Sequence, residues 1–428
     1  MRMNSIPQKT YFFSENEEAF QAGPVDFREP VAHLVEIIFH KFKHLLPQNR
    51  DAHILLKPNC NNDLHPLLGN ATDLRILKSV VNGLKERGYQ HIVIADGPNI
   101  GTYRKQINVF SRLGIRSLCR HTGVRLVDLN QAPSVRVDLF TDTVAIPEIL
   151  FESDFVISLP KFKTHAEAVV SFAMKNLIGC VCGVDKRKVH NDLPANIAAL
   201  NKEIPVHLII GDGLIVMEGN GPGDGQPFFA GMLLAGTDSF WLDGVAARLT
   251  GFDPHRIPAW QNASTMQRAS EKQLASLMAI QPAFQLVPAP ARGFWVRFLD
   301  HPGLAAIRDK TRFLHSQHRA RTFLYRLGLL QDVYSQDNSR IDRLVFYQHR
   351  CDACRLCEAV CPLGSPPCSP SHDPSACLRC LSCWWICPHD AIAIQGKPGY
   401  ILEHRNRFSQ RLKRLRDQML KSHTAWNN

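Results

Sequence analysis

Several absences narrow what this chain can be. No run of about 18 apolar residues occurs, so a membrane-spanning helix is not expected. The N-terminal stretch Met-Arg-Met-Asn-Ser-Ile-Pro-Gln-Lys has neither an apolar core nor a small-residue cleavage site, so a secretory signal is not expected and a cytoplasmic setting follows. There is no Gly-x4-Gly-Lys-[Ser/Thr] phosphate loop and no Gly-x-Ser-x-Gly elbow. Gly219–Gly225 is glycine-rich but carries Pro222 and opens no helix directly, which argues against a dinucleotide fingerprint. With 45% hydrophobic and 21% charged residues, the composition is not that of a disordered or fibrous chain. At 428 residues, two or more domains are expected.

Uniform basicity is missing too, although the net charge is +11. Residues 291–330 hold eight Lys/Arg against two Asp, and residues 400–428 hold seven against Glu403 and Asp417. Those two segments carry the whole excess, so a nucleic-acid-binding surface is not what the charge describes. In the tail, Phe408, Leu412, Leu415 and Met419 recur at helical spacing, with Arg407, Arg411, Lys413, Arg414 and Lys421 around them. Such a helix could dock an acidic partner or, less favoured, rest on an anionic membrane. The plainer reading, which we prefer, is a helix packed on its own protein with a solvated outer face. Residues 294–298 and 313–330 mix aromatics with Arg and are read the same way.

The cysteines are concentrated. Of 13, nine fall between Cys351 and Cys387, as Cys351-x2-Cys354-x2-Cys357-x3-Cys361-Pro362 and Cys377-x2-Cys380-x2-Cys383-x3-Cys387-Pro388. Three thiolates at this spacing on a tight loop reach three corners of a cubane, and the last cysteine leads away towards the other motif. The pattern predicts two [4Fe–4S] clusters. One takes Cys351, Cys354, Cys357 and Cys387, the other Cys377, Cys380, Cys383 and Cys361. Zinc is the rival, but it needs only paired Cys-x2-Cys units, and disulfides do not suit a cytoplasmic setting. The stretch resembles a bacterial two-cluster ferredoxin domain, down to Cys-Pro-x-x-Ala-Ile at Cys387–Ile392. It departs after Cys361, where a Pro-rich segment carrying the extra Cys368 replaces the matching strand start. Cys368 reads as a loop cysteine with a spare-ligand alternative. Trp384 and Trp385 would shield a cluster or pack on the larger domain.

Residues 52–96 show a βαβ rhythm: His53–Leu56, a helical pattern from Leu74 to Leu84, then Ile92–Ala95. Further strands are expected at Val124–Leu129, Phe155–Leu159 and Val206–Ile210, with helices at 102–119, 166–178, 193–201 and 238–250. The alternation predicts a doubly wound, mostly parallel α/β sheet. Ligands of such sheets sit beyond strand C-termini. That rule selects Lys57, Asn59, Asp96, Lys161, Lys163, His165, Lys175, Asn176, His190, Asp212 and Glu218 as candidate site residues, with cations suited to a carboxylate or phosphate. Cys180-x-Cys182 reads as buried cysteines with a redox-pair alternative, and Cys60 as a lone nucleophile candidate under the same plain reading.

Residues from about 50 to 255 resemble the uncharacterised domain of unknown function 362 family. The resemblance lies in Lys57-Pro58-Asn59, Asp154 to His165, Lys175-Asn176 with Gly179, His190, Asp212-Gly213, Met217 to Pro222, and Asp238 with Asp243. Fusion to a ferredoxin module is common among the members it resembles. The resemblance implies a fold and a shared site but no reaction. The loop Asn61-Asn62-Asp63-Leu64-His65-Pro66 departs from the Gly/Thr-rich turn of many relatives.

The expected organisation is an N-terminal segment (1–49), an α/β domain (50–255), a helical bridging region (256–345), a small α+β ferredoxin-type domain with two clusters (346–399) and a basic amphipathic helix (400–428). The expected function is that of a redox enzyme: the clusters relay electrons from a soluble donor protein to a small anionic substrate in the α/β crevice. The alternatives are an electron carrier or adaptor docking an acidic redox partner, and a non-redox enzyme with structural or sensory clusters.

Overall fold

The protein is described here by a computed structural model covering residues 7–13, 17–104, 107–267, 269–290 and 339–425. The Arg-rich stretches 294–298 and 313–330, with much of the expected bridging region, lie outside the described residues.

The strands are β1 (Gln8–Phe12), β2 (Glu18–Ala22), β3 (Ile54–Pro58), β4 (Ile92–Asp96), β5 (Arg125–Asp128), β6 (Ser134–Asp138), β7 (Thr143–Pro147), β8 (Phe155–Leu159), β9 (Lys161–His165), β10 (Val169–Ser171), β11 (Leu208–Glu218), β12 (Gln226–Gly236), β13 (Arg340–Phe346) and β14 (Ile392–Lys397). A ten-stranded sheet runs β1-β2-β12-β11-β8-β3-β4-β5, with the β9–β10 hairpin attached through β11. From β5 to β11 all pairs are parallel, and from β11 to β1 they are antiparallel. The protein is thus mixed α/β with a mostly parallel centre.

The short apolar strands bury both faces because period-two side chains meet a helical layer on each side. On β3, Leu55 joins one core and Ile54 and Leu56 the other; Ile209 and its neighbours Leu208 and Ile210 divide the same way on β11. One layer contains the helices Leu193–Glu203 and Ser239–Leu249, the other Val31–Lys41 and Leu74–Glu86. The N-terminal segment is woven into this unit: β2 pairs with β12, and the Val31–Lys41 helix buries Leu34, Ile38 and Phe39.

Three local expectations are corrected. The expected helix 102–119 is three short helices, Ile100–Arg104, Val109–Arg112 and Ile115–Thr122, broken where Asn108 caps and where Gly114 takes φ 79°. The expected helix 166–178 is instead strand β10, then the single turn Ala173–Asn176 and a 3₁₀ turn. The β-branched Val169-Val170 pairs with β9, and the buried Asp243 carboxylate accepts the N–H of Ala173 at 2.7 Å, starting the helical turn only there. Strand β11 does not stop at Ile210 but continues to Glu218 through an irregularity between Gly213 and Ile215, so Asp212 lies inside a strand rather than beyond its end.

Residues 339–425 form a second body around the β13–β14 pair. Its core joins Trp384, Trp385 and Ile386 to Leu64, Leu67, Leu68 and Ile215 of the α/β unit, and the C-terminal helix Ser409–Ala425 closes it. Phe408, Leu412, Leu415 and Met419 are all buried there, each contributing roughly 2 kcal/mol of apolar burial. The expected single tail helix is two, Tyr400–Arg407 and Ser409–Ala425, broken at Phe408, and the amphipathic tail is packed on its own protein.

Candidate functional site

Two clusters of functional side chains stand about one seven-residue loop. The first is the cysteine segment. Its two halves repeat at 26 residues, and the backbone follows the repeat: Ala353 and Arg379 have φ 57° and 52°, Arg355 and Leu381 62° and 64°, Gly364 and Asp390 68° and 49°. Left-handed backbone at non-glycine residues costs roughly 1 kcal/mol each, and its recurrence at matched positions marks a functional loop. The turns curl both loops inward. Cys351, Cys354, Cys357, Cys368 and Cys387 line one cavity. Burial, and then the proximity of Cys380, Cys361 and Cys377, pushes the Cys383 thiol up. Thiols crowded this way suit the cationic iron of a cluster, and the loop amides contribute, with Ala391 N–H donating to Cys387 Sγ at 3.3 Å. Between Pro362 and Ala376 no strand forms, as the Pro-rich departure predicts.

The second cluster is a cavity of about 410 Å³ at the C-terminal ends of β3 and β4, bounded by β9 and the Ala173–Asn176 turn. It brings together Lys57, Asn59, Asp96, Lys163, His165, Lys175, Asn176 and His190 of the expected residues. Lys57 Nζ donates to Asp96 Oδ1 at 2.7 Å and Asn176 Oδ1 at 3.1 Å. Asn59 donates to Asn176 Oδ1 at 2.9 Å, and Lys163 Nζ donates to Asn59 Oδ1 at 2.7 Å. The floor is thus one polar network with each amide oriented by its neighbours. Burial alone would lower the Lys57 pKa, but the Asp96 carboxylate outweighs it and holds Lys57 charged.

The other cations are not neutralised in this way. Burial, then Lys175 and Lys161, lowers Lys163 to about 7. Burial lowers Lys175 to about 8, and among the described residues no hydrogen bond or ion pair holds its ammonium. Burial also lowers Lys186 to about 8, against the pull of Asp96; its ammonium donates to Asn130 Oδ1 and the Val181 carbonyl. His165 Nδ1 accepts from the N–H of Glu167 and Ala168 at 3.0 and 3.1 Å, which leaves the proton on Nε2.

Lys161, Asp212 and Glu218 do not line this cavity. Side chains two apart on β9 share a face, and they descend in depth. Lys161 lies deepest, ion-paired to Asp212 at 2.8 Å with both side chains fully buried. Glu218 accepts the Val287 N–H at 2.9 Å and pins the segment after Pro282. Cys60 is fully buried with its thiol pushed well above the ordinary value by burial and Asp96; Cys180 is buried and pushed up to about 12 by burial. Sequence reasoning missed Lys186, Arg187, Asn61, Asn99 and Ser171, which also line the cavity. Only the fold turns Lys186 inward.

The loop Asn59–His65 joins the two clusters. Asn59 and Asn61 line the cavity. Asp63 pairs with Arg112 and accepts from the Tyr400 hydroxyl at 2.8 Å. His65 Nδ1 accepts from Leu67 N–H at 3.2 Å, so Nε2 carries the proton and donates to the Cys380 carbonyl at 3.0 Å. Its ring stacks on Trp385, 4.9 Å between centroids, and burial lowers its pKa to about 4, so it stays neutral. Arg75 donates to the Ala359 carbonyl at 2.7 Å, and a Cβ at Gly114 would lie 2.9 Å from Cys380 Cβ, so only glycine allows this approach.

Fold and site together define an iron–sulfur protein built on an α/β scaffold. Residues 370–393 match the family described as 4Fe-4S binding domain, and residues 54–248 match the family described as Domain of unknown function (DUF362). The chain therefore joins a DUF362 domain to a ferredoxin-type segment holding at least one [4Fe–4S] cluster, as its resemblances imply. A thylakoid-associated protein of Synechocystis sp. is similar to it, 29% identical over 212 residues, or 48% of this chain. The match spans 65% of that relative's length. Among the described residues no helix is long and apolar enough to cross a membrane.

Proposed function

We propose that the protein is a redox enzyme in which a small anionic substrate binds the cavity between β3, β4 and β9, and in which both cysteine motifs hold [4Fe–4S] clusters. One holds to Cys351, Cys354, Cys357 and Cys387, the other to Cys377, Cys380, Cys383 and Cys361. When bound, the clusters supply single-electron transfer. The chain's own residues do the rest. Lys163, Lys175, Lys186 and Arg187 attract and orient the anion, the Lys57–Asp96–Asn176 network fixes the floor, and His165 stands in the lining. The observation that supports this reading is that one loop, Asn59–His65, both lines the lysine-rich cavity and bonds the cysteine segment at the Cys380 carbonyl. The donor is a soluble redox protein, and the setting is cytoplasmic.

The test is reoxidation of anaerobically reduced full-length protein by a panel of small carboxylates and phosphate esters, followed by visible absorbance. At least one is expected to reoxidise it. Lys175→Ala should slow that step at least ten-fold with iron content unchanged. No reoxidation by any member would favour the electron-carrier reading instead.

The thylakoid-associated relative supports one second reading, peripheral membrane association through the outer face of the C-terminal helix, where Lys413, Arg414 and Lys421 are exposed. Salt-sensitive co-sedimentation with anionic vesicles, abolished by charge reversal there, distinguishes it.

A further inference from the structure

Five cysteines, rather than four, surround the cavity of the first motif. Cys351, Cys354, Cys357 and Cys387 line it, and Cys368 joins them from the Pro-rich loop. Cys368 Sγ lies 3.2 Å from Cys357 Sγ, and both residues are half-buried. Two thiolates on one tetrahedral ion, each about 2.3 Å from it, sit roughly 3.8 Å apart. Sulfurs at the observed separation therefore address the same point, and an ion within reach of one is within reach of the other. No other pair of cysteines in the segment has this relation among the described contacts.

Two further features place Cys368 there by construction. The 26-residue repeat gives it no cysteine counterpart, since the matching position in the second half is Ile394 on β14. Cys368 is thus an addition made where the first half exchanges a strand for a loop. The loop is also held. Ser369 N–H donates to the Pro366 carbonyl at 2.8 Å, Ser365 Oγ to the Ser371 carbonyl at 2.8 Å, and His372 Nδ1 to the Ser365 carbonyl at 2.9 Å. These bonds hold the thiol against the cavity.

We propose that Cys368 is a reserve ligand for the iron that Cys357 holds. In the exchange, the bond from iron to Cys357 sulfur breaks and one to Cys368 sulfur forms. The proton released by the Cys368 thiol passes to the Cys357 thiolate, and no electrons change hands. The segment thereby keeps its first cluster when Cys357 leaves it. The inference rests on the reading that the first motif holds a cluster.

The experiment uses full-length wild type, C354A, C357A, C368A and C357A/C368A purified anaerobically. Iron and acid-labile sulfide are quantified, and the thiols protected from iodoacetamide are mapped by peptide mass. Wild type is expected to hold about eight iron atoms, with Cys357 protected and Cys368 alkylated. C357A should keep about eight with Cys368 now protected, whereas C354A and the double variant fall to about four. C368A, which leaves all eight proposed ligands in place, should lose half its iron to a chelator at least three-fold faster than wild type. The inference is overturned if C357A loses as much iron as C354A, fails to fold where C354A folds, or keeps its iron with Cys368 still alkylated. An unchanged chelation rate in C368A overturns it as well. Wild type with about four irons and Cys351, Cys354 and Cys357 all alkylated overturns the first-cluster reading itself, and this one with it.

Discussion

At the scale of residues, the chemistry lies in how differently the fold treats similar lysines. Lys161 is fully buried and matched to Asp212, so it holds the structure, because removing either partner strands a buried charge. Lys57 is matched to Asp96 at 2.7 Å. Lys163, Lys175 and Lys186 have pKa values brought down to about 7, 8 and 8 by burial, so each would gain a proton on binding the proposed anion. The sign follows directly. A cation whose folded pKa lies below its unfolded one costs stability in full below the folded pKa, and that cost fades as pH rises towards the unfolded value near 10. An anion relieves the cost, so binding strengthens as pH falls from 9 to 7 and is accompanied by proton uptake. Oxalate, which does not itself titrate there, is the probe. Calorimetry in buffers of different ionisation enthalpy is expected to show net proton uptake near pH 8, with affinity rising up to about ten-fold per pH unit for each proton taken up. Binding indifferent to pH across that range would show that these lysines do not meet the anion.

At the scale of elements, the tail helix decides how the cysteine segment is held. Its apolar stripe was legible from Phe408, Leu412, Leu415 and Met419 at helical spacing, and the structure assigns it a partner. Arginines of this helix, and Arg405 of the preceding helix Tyr400–Arg407, also act as clamps. Arg416 donates to the Ile386 carbonyl at 2.7 Å and the Trp385 carbonyl at 3.2 Å, Arg405 to the Cys387 carbonyl at 3.0 Å, and Arg411 pairs with Asp224 at 2.9 Å. Much of the tail's positive charge is therefore spent on carbonyls and on Asp224 and Asp390, which is why net charge alone misdescribes it. Leu412→Ala, at a fully buried position, is expected to cost about 2–5 kcal/mol and to lower the thermal midpoint of the holo-protein. Loss of the cluster absorbance should coincide with that transition. An unshifted midpoint would mean the helix is not anchored by this stripe.

At the scale of the whole molecule, the loop Asn61–Pro66 couples the two bodies. It was visible in the sequence only as a departure from a Gly/Thr-rich turn, and it is the segment that carries Asp63 to Tyr400 and His65 to Cys380 and Trp385. His65→Leu would keep bulk but leave the Cys380 carbonyl and the Leu67 N–H without partners, a loss of about 1–3 kcal/mol. Amide hydrogen exchange is expected to speed about ten-fold or more in residues 61–67 and 378–385, while β4 exchanges as before. Equal acceleration in β4 would mean that His65 stabilises the α/β unit rather than the junction.

The sequence by itself determined the elements whose cause is local. Repeated Cys-x2-Cys-x2-Cys-x3-Cys-Pro spacing carries its own ligand geometry, and period-two apolar strands alternating with 3.6-period helices specify an α/β sheet wherever they occur. It also determined most of the cavity, because strand ends of such a sheet converge by topology. Tertiary structure alone decided the rest. Whether a lysine is matched inside the fold or faces the cavity depends on the carboxylate opposite it, and Asp212 lies 51 residues from Lys161. Strand β11 runs past Ile210 because β9 and β12 supply pairing partners, which no local pattern encodes. The meeting of Cys368 with Cys357, and of the Asn59–His65 loop with the cluster segment 315 residues away, follows only from packing the chain on itself.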